Sequence, residues 1–227
     1  MGGRTIGIRR VPVSAGLVLG LAALGACGGG DVPLPALSPS TVGDTMGLTT
    51  RGEYLVRSVA VCGHCHSADP RNSDAPLSGG REFSNWRLGT FRAANLTPDV
   101  ETGLGGWSEA QIVRAIRSGL DREGHLLAPV MPYEWFRGMS ERDALAIARY
   151  LKSQPPVRNP VRNSPNLVYR AARLFVLGPK PPTATVSPRP GPTAEYGRYF
   201  ANNVSLCADC HTPRGGLQNA WDMDRLF

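Results

Sequence analysis

Apolar residues return at helical spacing in several stretches of this chain, and each stretch carries its own start or stop signal. In "WSEAQIVRAIRSGL" Ile112, Val113, Ile116 and Leu120 share one helical face, and Ser108 with Gln111 three residues on forms a capping box ahead of it. In "SERDALAIARYLKSQ" Leu145, Ala148 and Leu151 make an apolar stripe that Ala144 and Ile147 widen. Ser140 with Asp143 is a weaker start signal there, and Pro155-Pro156 ends the helix. "RGEYLVRSVAVCGHCH" predicts a short helix running into a pair of cysteines. Between these helices no run alternates apolar and polar residues as a half-buried strand would. The pattern predicts an all-α fold with long loops, in keeping with 20 prolines and 27 glycines.

The chain also repeats itself. At an offset of 145 residues "RGEYLVRSVAVCGHCH" aligns with "YGRYFANNVSLCADCH": Gly52 falls on Gly197, Tyr54 on Tyr199, Val59 on Val204, and the two Cys-x-x-Cys-His units coincide. The first copy runs on through both helices to Pro155, whereas 16 residues follow His211. The expected organisation is a complete unit over 49–157, a proline-rich linker over 158–192 and a partial second unit over 193–227. Within the linker "LVYRAARLFVLG" predicts a short packing helix and "PKPPTATVSPRPGP" a stiff, extended spacer.

Charge changes the picture at the N-terminus. Arg4, Arg9 and Arg10 precede an apolar run from Val11 to Ala26, the pattern of an export signal and shorter than the roughly 20 residues that span a bilayer. The run ends in "LGAC", which resembles a bacterial lipobox and implies cleavage after residue 26 with acylation of Cys27. Residues 27–48 then form a flexible tether. Losing the three arginines of residues 1–26 takes the formal charge from +7 to +4. No basic stripe interleaved with aromatic residues marks a nucleic-acid-binding face.

Five cysteines are an odd number, so a simple disulfide framework would leave one over. A dithiol oxidoreductase site would need a βαβ setting, and a helix precedes Cys62 instead. A four-cysteine zinc site would join pairs about 140 residues apart and leave the two following histidines without a role. Covalent haem accounts for every residue. Cys62 and Cys65, and again Cys207 and Cys210, supply thiols for two thioether bonds, and His66 and His211 lie within reach of the iron. Cys27 is the one cysteine left, for lipid.

Met131 in "APVMPYEW", held between Pro129 and Pro132, is the candidate distal ligand of the first haem; core packing is the alternative. Met/His ligation raises the reduction potential and closes the iron to small molecules, which suits electron transfer. Met139 beside the Ser140 cap reads as helix packing or surface, His125 as a loop histidine and His64 as an exposed spacer.

Residues 50–157 resemble the c-type cytochrome domains in cytochrome subunits of bacterial membrane-bound dehydrogenases for alcohols, gluconate and related sugars. The resemblance is carried by "RGEYLVRSVAVCGHCH", "LSGGREF", "ANLTPDVETGLGGWSEAQIVRAIRSG" and "GHLLAPVMPYEWFRGMSERDALAIARYLKSQPPV". It implies an all-α, cytochrome c-like fold in which Gly52 and Tyr54 meet the helix carrying Tyr150 and Leu151. It also implies Met131 as the sixth ligand, with the loop Asn95–Asp99 against the first haem. Those subunits usually carry three haem motifs, and this chain has two. The second unit has no counterpart of "MPY", and Met223 is the only later methionine.

The expected function is non-enzymatic: a dihaem cytochrome c carrying single electrons at the periplasmic side of a bacterial membrane. It would be lipid-anchored at Cys27 and would sit between a dehydrogenase subunit and a terminal oxidase or other cytochrome. The rival is a dihaem peroxidase with a five-coordinate second haem, against which stand the few residues of the second unit available to enclose a substrate.

Overall fold

The computed structural model describes residues 45–86, 88–175, 178–179, 181–183, 187–207 and 211. The export signal, Cys27, Cys210 and Met223 lie outside the described residues, as does most of the tether. All described residues belong to one compact unit, Pro33–Phe227.

Helices predominate. The first, α1 (Thr45–Tyr54), starts inside the segment expected to be tether, because Leu48 is already a core residue. It runs straight into a π-helical turn, Leu55–Val59, whose Leu55 and Val56 are fully buried. A short helix α2 (Gly63–His66) follows. Later come α3 (Glu109–Ser118), α4 (Tyr133–Phe136) and α5 (Glu141–Ser153), then α6 (Leu167–Phe175) and α7 (Ala194–Asn203).

The cap signals act as their chemistry requires. Ser108 Oγ accepts from Gln111 N while the Gln111 side chain accepts from Ser108 N, closing the capping box, and Ser140 Oγ accepts from Asp143 N at 3.2 Å. Every apolar position assigned to the faces of α3 and α5 is buried. α5 packs against both α1 and α3, and their side chains form the main core. The crossing of α1 and α5 depends on Gly52, where a Cβ would run into the Ala146 carbonyl oxygen and lie 2.8 Å from Tyr150 Cβ. Tyr54 is 49% exposed, with the Arg51 guanidinium 5.7 Å from its ring centroid.

A small sheet corrects the all-helical expectation. Strands β1 (Glu82–Asn85), β2 (Gly89–Arg92) and β3 (Ser164–Pro165) form a small antiparallel sheet in the order β1-β2-β3. Phe83 pairs with Phe91, and these two carry the sheet's inward face. One inward residue per strand is too short a pattern to show alternation. Described residues of the linker, expected as a stiff, extended spacer, hydrogen-bond to the helices. Thr183 N donates to the Arg137 carbonyl at 2.9 Å, an Arg117 Nη donates to the Thr183 carbonyl at 3.0 Å, and Ser187 Oγ donates to Asp143 Oδ2 at 3.3 Å.

Candidate haem site

The first Cys-x-x-Cys-His motif is a single tight turn. Leaving the π-helical turn, the backbone passes through Val61 at φ +42°, a left-handed conformation that a β-branched residue adopts only when its surroundings impose it. Cys62 N is tied back to the Val56 carbonyl at 3.0 Å, and Cys65 N and His66 N both donate to the Cys62 carbonyl, at 3.2 and 2.8 Å. The two cysteines therefore stand one helical turn apart, both as thiols. Burial, reinforced by the neighbouring Cys65, pushes the Cys62 thiol up to about 12. A nucleophilic thiol is activated by the opposite shift.

His66 is held by a loop, not by its own helix. Its Nδ1 lies 2.8 Å from the Ala94 carbonyl oxygen. A carbonyl only accepts, so Nδ1 carries the proton and Nε2 presents its lone pair, the tautomer a metal ligand requires. Burial lowers the pKa of the ring and favours that neutral form. The cradle is built by Gly79, whose N–H donates to the His66 carbonyl at 2.7 Å. At φ +73° a side chain there would be strained, and its Cβ would come 2.5 Å from the Ala93 carbonyl oxygen. Arg81 donates to the His64 carbonyl, and His64 itself is exposed.

Arg57 fastens the loop after His66 to the C-terminal helix of the unit. Its guanidinium reaches Tyr150 Oη at 2.8 Å, the Ser73 and Ala75 carbonyls at 2.6 and 2.9 Å, and Gln154 Oε1 at 3.3 Å. Sequence reasoning found neither Arg57 nor the Ala94 carbonyl. A backbone acceptor leaves no mark in side-chain patterns, and Arg57 looks like any solvated charge on a helix.

Met131 packs on the same core as Cys62, together with Leu96 and Trp107. The motif thus offers two thiols and an imidazole whose Nε2 presents its lone pair, set beside half-buried apolar side chains. That donor set and its apolar setting fit a covalently bound haem. The loop Asn95–Asp99 is fixed by Thr97 Oγ1 and Asn95 Nδ2, which both donate to the Val157 carbonyl, at 3.1 and 2.7 Å. Met139 is fully buried, so its role is packing. His125 is exposed, its Nδ1 3.4 Å from Asp121 Oδ2, and with Glu123 these groups gather on a surface turn.

The second motif is described only in part. Cys207 is an exposed thiol with Ser205 Oγ 3.1 Å from its sulfur, and His211 is exposed. Ahead of it α7 lies on the first unit: Tyr199 Oη donates to Asp143 Oδ2 at 2.7 Å and accepts from Ser140 N at 3.0 Å. Arg51 grips the same carboxylate through two nitrogens, at 3.0 and 3.2 Å, and reaches Tyr196 Oη at 3.0 Å. Arg51 and Tyr196 are themselves equivalent positions of the repeat, so the two copies touch at matching residues.

A mostly helical unit with a Cys-x-x-Cys-His turn on its core and an imidazole poised for metal has the features of a c-type cytochrome. Comparison with known proteins agrees: the chain is a relative of bacterial c-type cytochromes that serve as cytochrome subunits of dehydrogenases. It is 32% identical over 181 residues to the cytochrome c subunit of the quinone alcohol dehydrogenase of Gluconobacter oxydans (strain 621H), covering 75% of this chain and 36% of that one. It is 30% identical over 186 residues to a diheme cytochrome c-type protein of Cereibacter sphaeroides, covering 79% and 62%. The cytochrome c subunit of the gluconate 2-dehydrogenase of Pantoea cypripedii matches at 30% over 196 residues, covering 82% and 42%. The chain therefore spans less than two thirds of the length of each of these relatives. No protein-family model matches it.

Proposed function

We propose that this chain is a dihaem cytochrome c that passes single electrons from a dehydrogenase subunit to a downstream oxidase or carrier, and performs no substrate chemistry itself. Cys62 and Cys65 would bind the first haem through thioethers, His66 Nε2 would hold its iron, and Met131 would close the far side. Cys207, Cys210 and His211 would serve a second haem in a partial second unit. When bound, haem c supplies a reversible one-electron Fe(III)/Fe(II) couple. The chain's own residues keep His66 neutral and oriented, and Leu96 and Trp107 would help to exclude water.

The observation that carries this reading is the His66 tautomer, fixed by the Ala94 carbonyl beside two thiols on one turn. The names of the relatives support a dehydrogenase as electron donor. The export-signal pattern over residues 1–26, followed by Cys27, supports a lipid-anchored protein on the periplasmic side, and no helix among the described residues is long and apolar enough to cross a membrane. The test is haem counting and spin state in the mature protein. Two covalent haems per chain and no peroxide turnover are expected. One haem or none refutes the dihaem reading, and peroxide consumption at a high-spin haem moves the protein to the peroxidase class.

A further inference from the structure

The loop that carries Met131 is gripped from two sides. Met131 packs on the main core, whereas its neighbours Ala128 and Val130 pack on a second, smaller apolar cluster made of Leu88, Phe91 and Tyr169. The loop has little internal structure of its own. Its backbone bonds are Leu127 N to the Gly119 carbonyl at 2.7 Å, Met131 N to the Ala128 carbonyl at 2.9 Å, and Tyr133 N to the Met131 carbonyl at 2.8 Å. The position of the thioether therefore depends on what presses on the loop from behind.

What presses is the joining segment. Tyr169 lies on α6, between the two repeats, and is buried with its ring edge-on to Phe91, centroids 4.9 Å apart. α6 is anchored to the hairpin at its first turn. Asn166 N donates to the Leu88 carbonyl at 3.0 Å, Asn166 Oδ1 accepts from Tyr169 N at 3.0 Å, and Asn166 Nδ2 donates to the Trp86 carbonyl at 3.3 Å. β3 extends the anchor, with Gly89 opposite Pro165 and Thr90 opposite Ser164. At Gly89, φ +101°, a Cβ would come 2.5 Å from the Ser164 carbonyl oxygen, so the close approach of the segment needs glycine there.

We propose that Tyr169 is a positioning residue for the Met131 thioether: by clamping Ala128 and Val130 against the hairpin, the segment that joins the repeats sets the distal ligation of the first haem. This rests on Met131 being the distal ligand. Tyr169 acts through the loop. Removing its ring takes one of three side chains from the smaller cluster, and Met131 would then hold the iron less firmly while the helices and the covalent attachment persist.

The test uses the full haem-loaded protein and reads ligation directly. In the oxidised wild type the near-infrared sulfur-to-iron charge-transfer band should be present. Tyr169→Ala should lose at least half of that band and, once reduced, take up more carbon monoxide per chain than the wild type, with unchanged helical circular dichroism. Tyr169→Phe, which keeps the ring, should retain the band. Leu48→Ala removes a buried side chain from α1 and should retain it as well, separating loop positioning from general destabilisation. A Tyr169→Ala protein with a full band and wild-type carbon monoxide uptake overturns the proposal, as does equal loss in Leu48→Ala. A wild type without the band, whose spectrum Met131→Ala leaves unaltered, overturns the Met131 reading itself.

Discussion

Asp143 shows how much one residue can carry. It is the third residue of α5, where its N–H closes the Ser140 cap, and its carboxylate takes two Arg51 nitrogens and the Tyr199 hydroxyl while 1% exposed. The Ser140–Asp143 start signal was legible in the sequence. The partners of the carboxylate were not, because they lie 92 and 56 residues away and only the tertiary fold joins them. Asp143→Asn keeps the shape and removes the charge. Breaking a buried ion pair from one side costs about 3 kcal/mol, so Asp143→Asn should lower the urea midpoint by that equivalent, with Ser187→Ala, which removes a single 3.3 Å contact, changing it far less.

At the scale of the element, α3 is where sequence and structure agree most closely, since its capping box and its buried face are both local. Removing the Ser108 hydroxyl by Ser108→Ala should cost about 1 kcal/mol of stability. The other end of α3 costs more to disturb. Gly119 closes the helix in the left-handed region at φ +69°, and a Cβ there would lie 2.6 Å from the Tyr133 ring. Gly119→Ala combines backbone strain of about 1–2 kcal/mol with overpacking of about 1–3 kcal/mol. It should therefore exceed the Ser108 change severalfold in thermal denaturation. The elements that escaped the sequence are those whose causes are not local. The π-helical turn, whose Leu55 and Val56 both enter the core, carries no local sequence signal, and the sheet forms because a distant segment, Ser164–Pro165, completes a hairpin with one inward residue per strand. The motif cysteines and histidine could be read from spacing alone, but the Ala94 carbonyl that selects the His66 tautomer could not.

At the scale of the whole molecule, the described start of the second copy is packed on the first rather than standing apart from it. α7, from the second copy, buries Tyr199 and Val204 in the core built by the first, and Gly138 faces Asn203 so closely that any side chain there would collide with it. The described parts should accordingly unfold together, with circular dichroism and tyrosine fluorescence giving one coincident urea transition. Tyr199→Phe removes a buried hydrogen bond to a charged group, worth about 1.5–3 kcal/mol, and should shift that single transition. A separate early transition, with the main one unmoved, would show α7 to be an independent piece. Alkaline pH gives a second handle on the same joint. Burial and the adjacent Asp143 raise the Tyr199 pKa, burial lifts Tyr133 to about 12, and Tyr169 is raised too. Below the ordinary tyrosine range, near 10, both folded and unfolded chains keep these protons and the contribution to stability is complete. Above it the unfolded chain ionises while the folded one does not, so stability falls as pH rises through that range and continues to fall until the folded groups titrate. Tyr199→Phe should start less stable at neutral pH yet lose less per pH unit above 10, because the hydroxyl that anchors the second copy to the first is also one of the groups whose proton the fold retains.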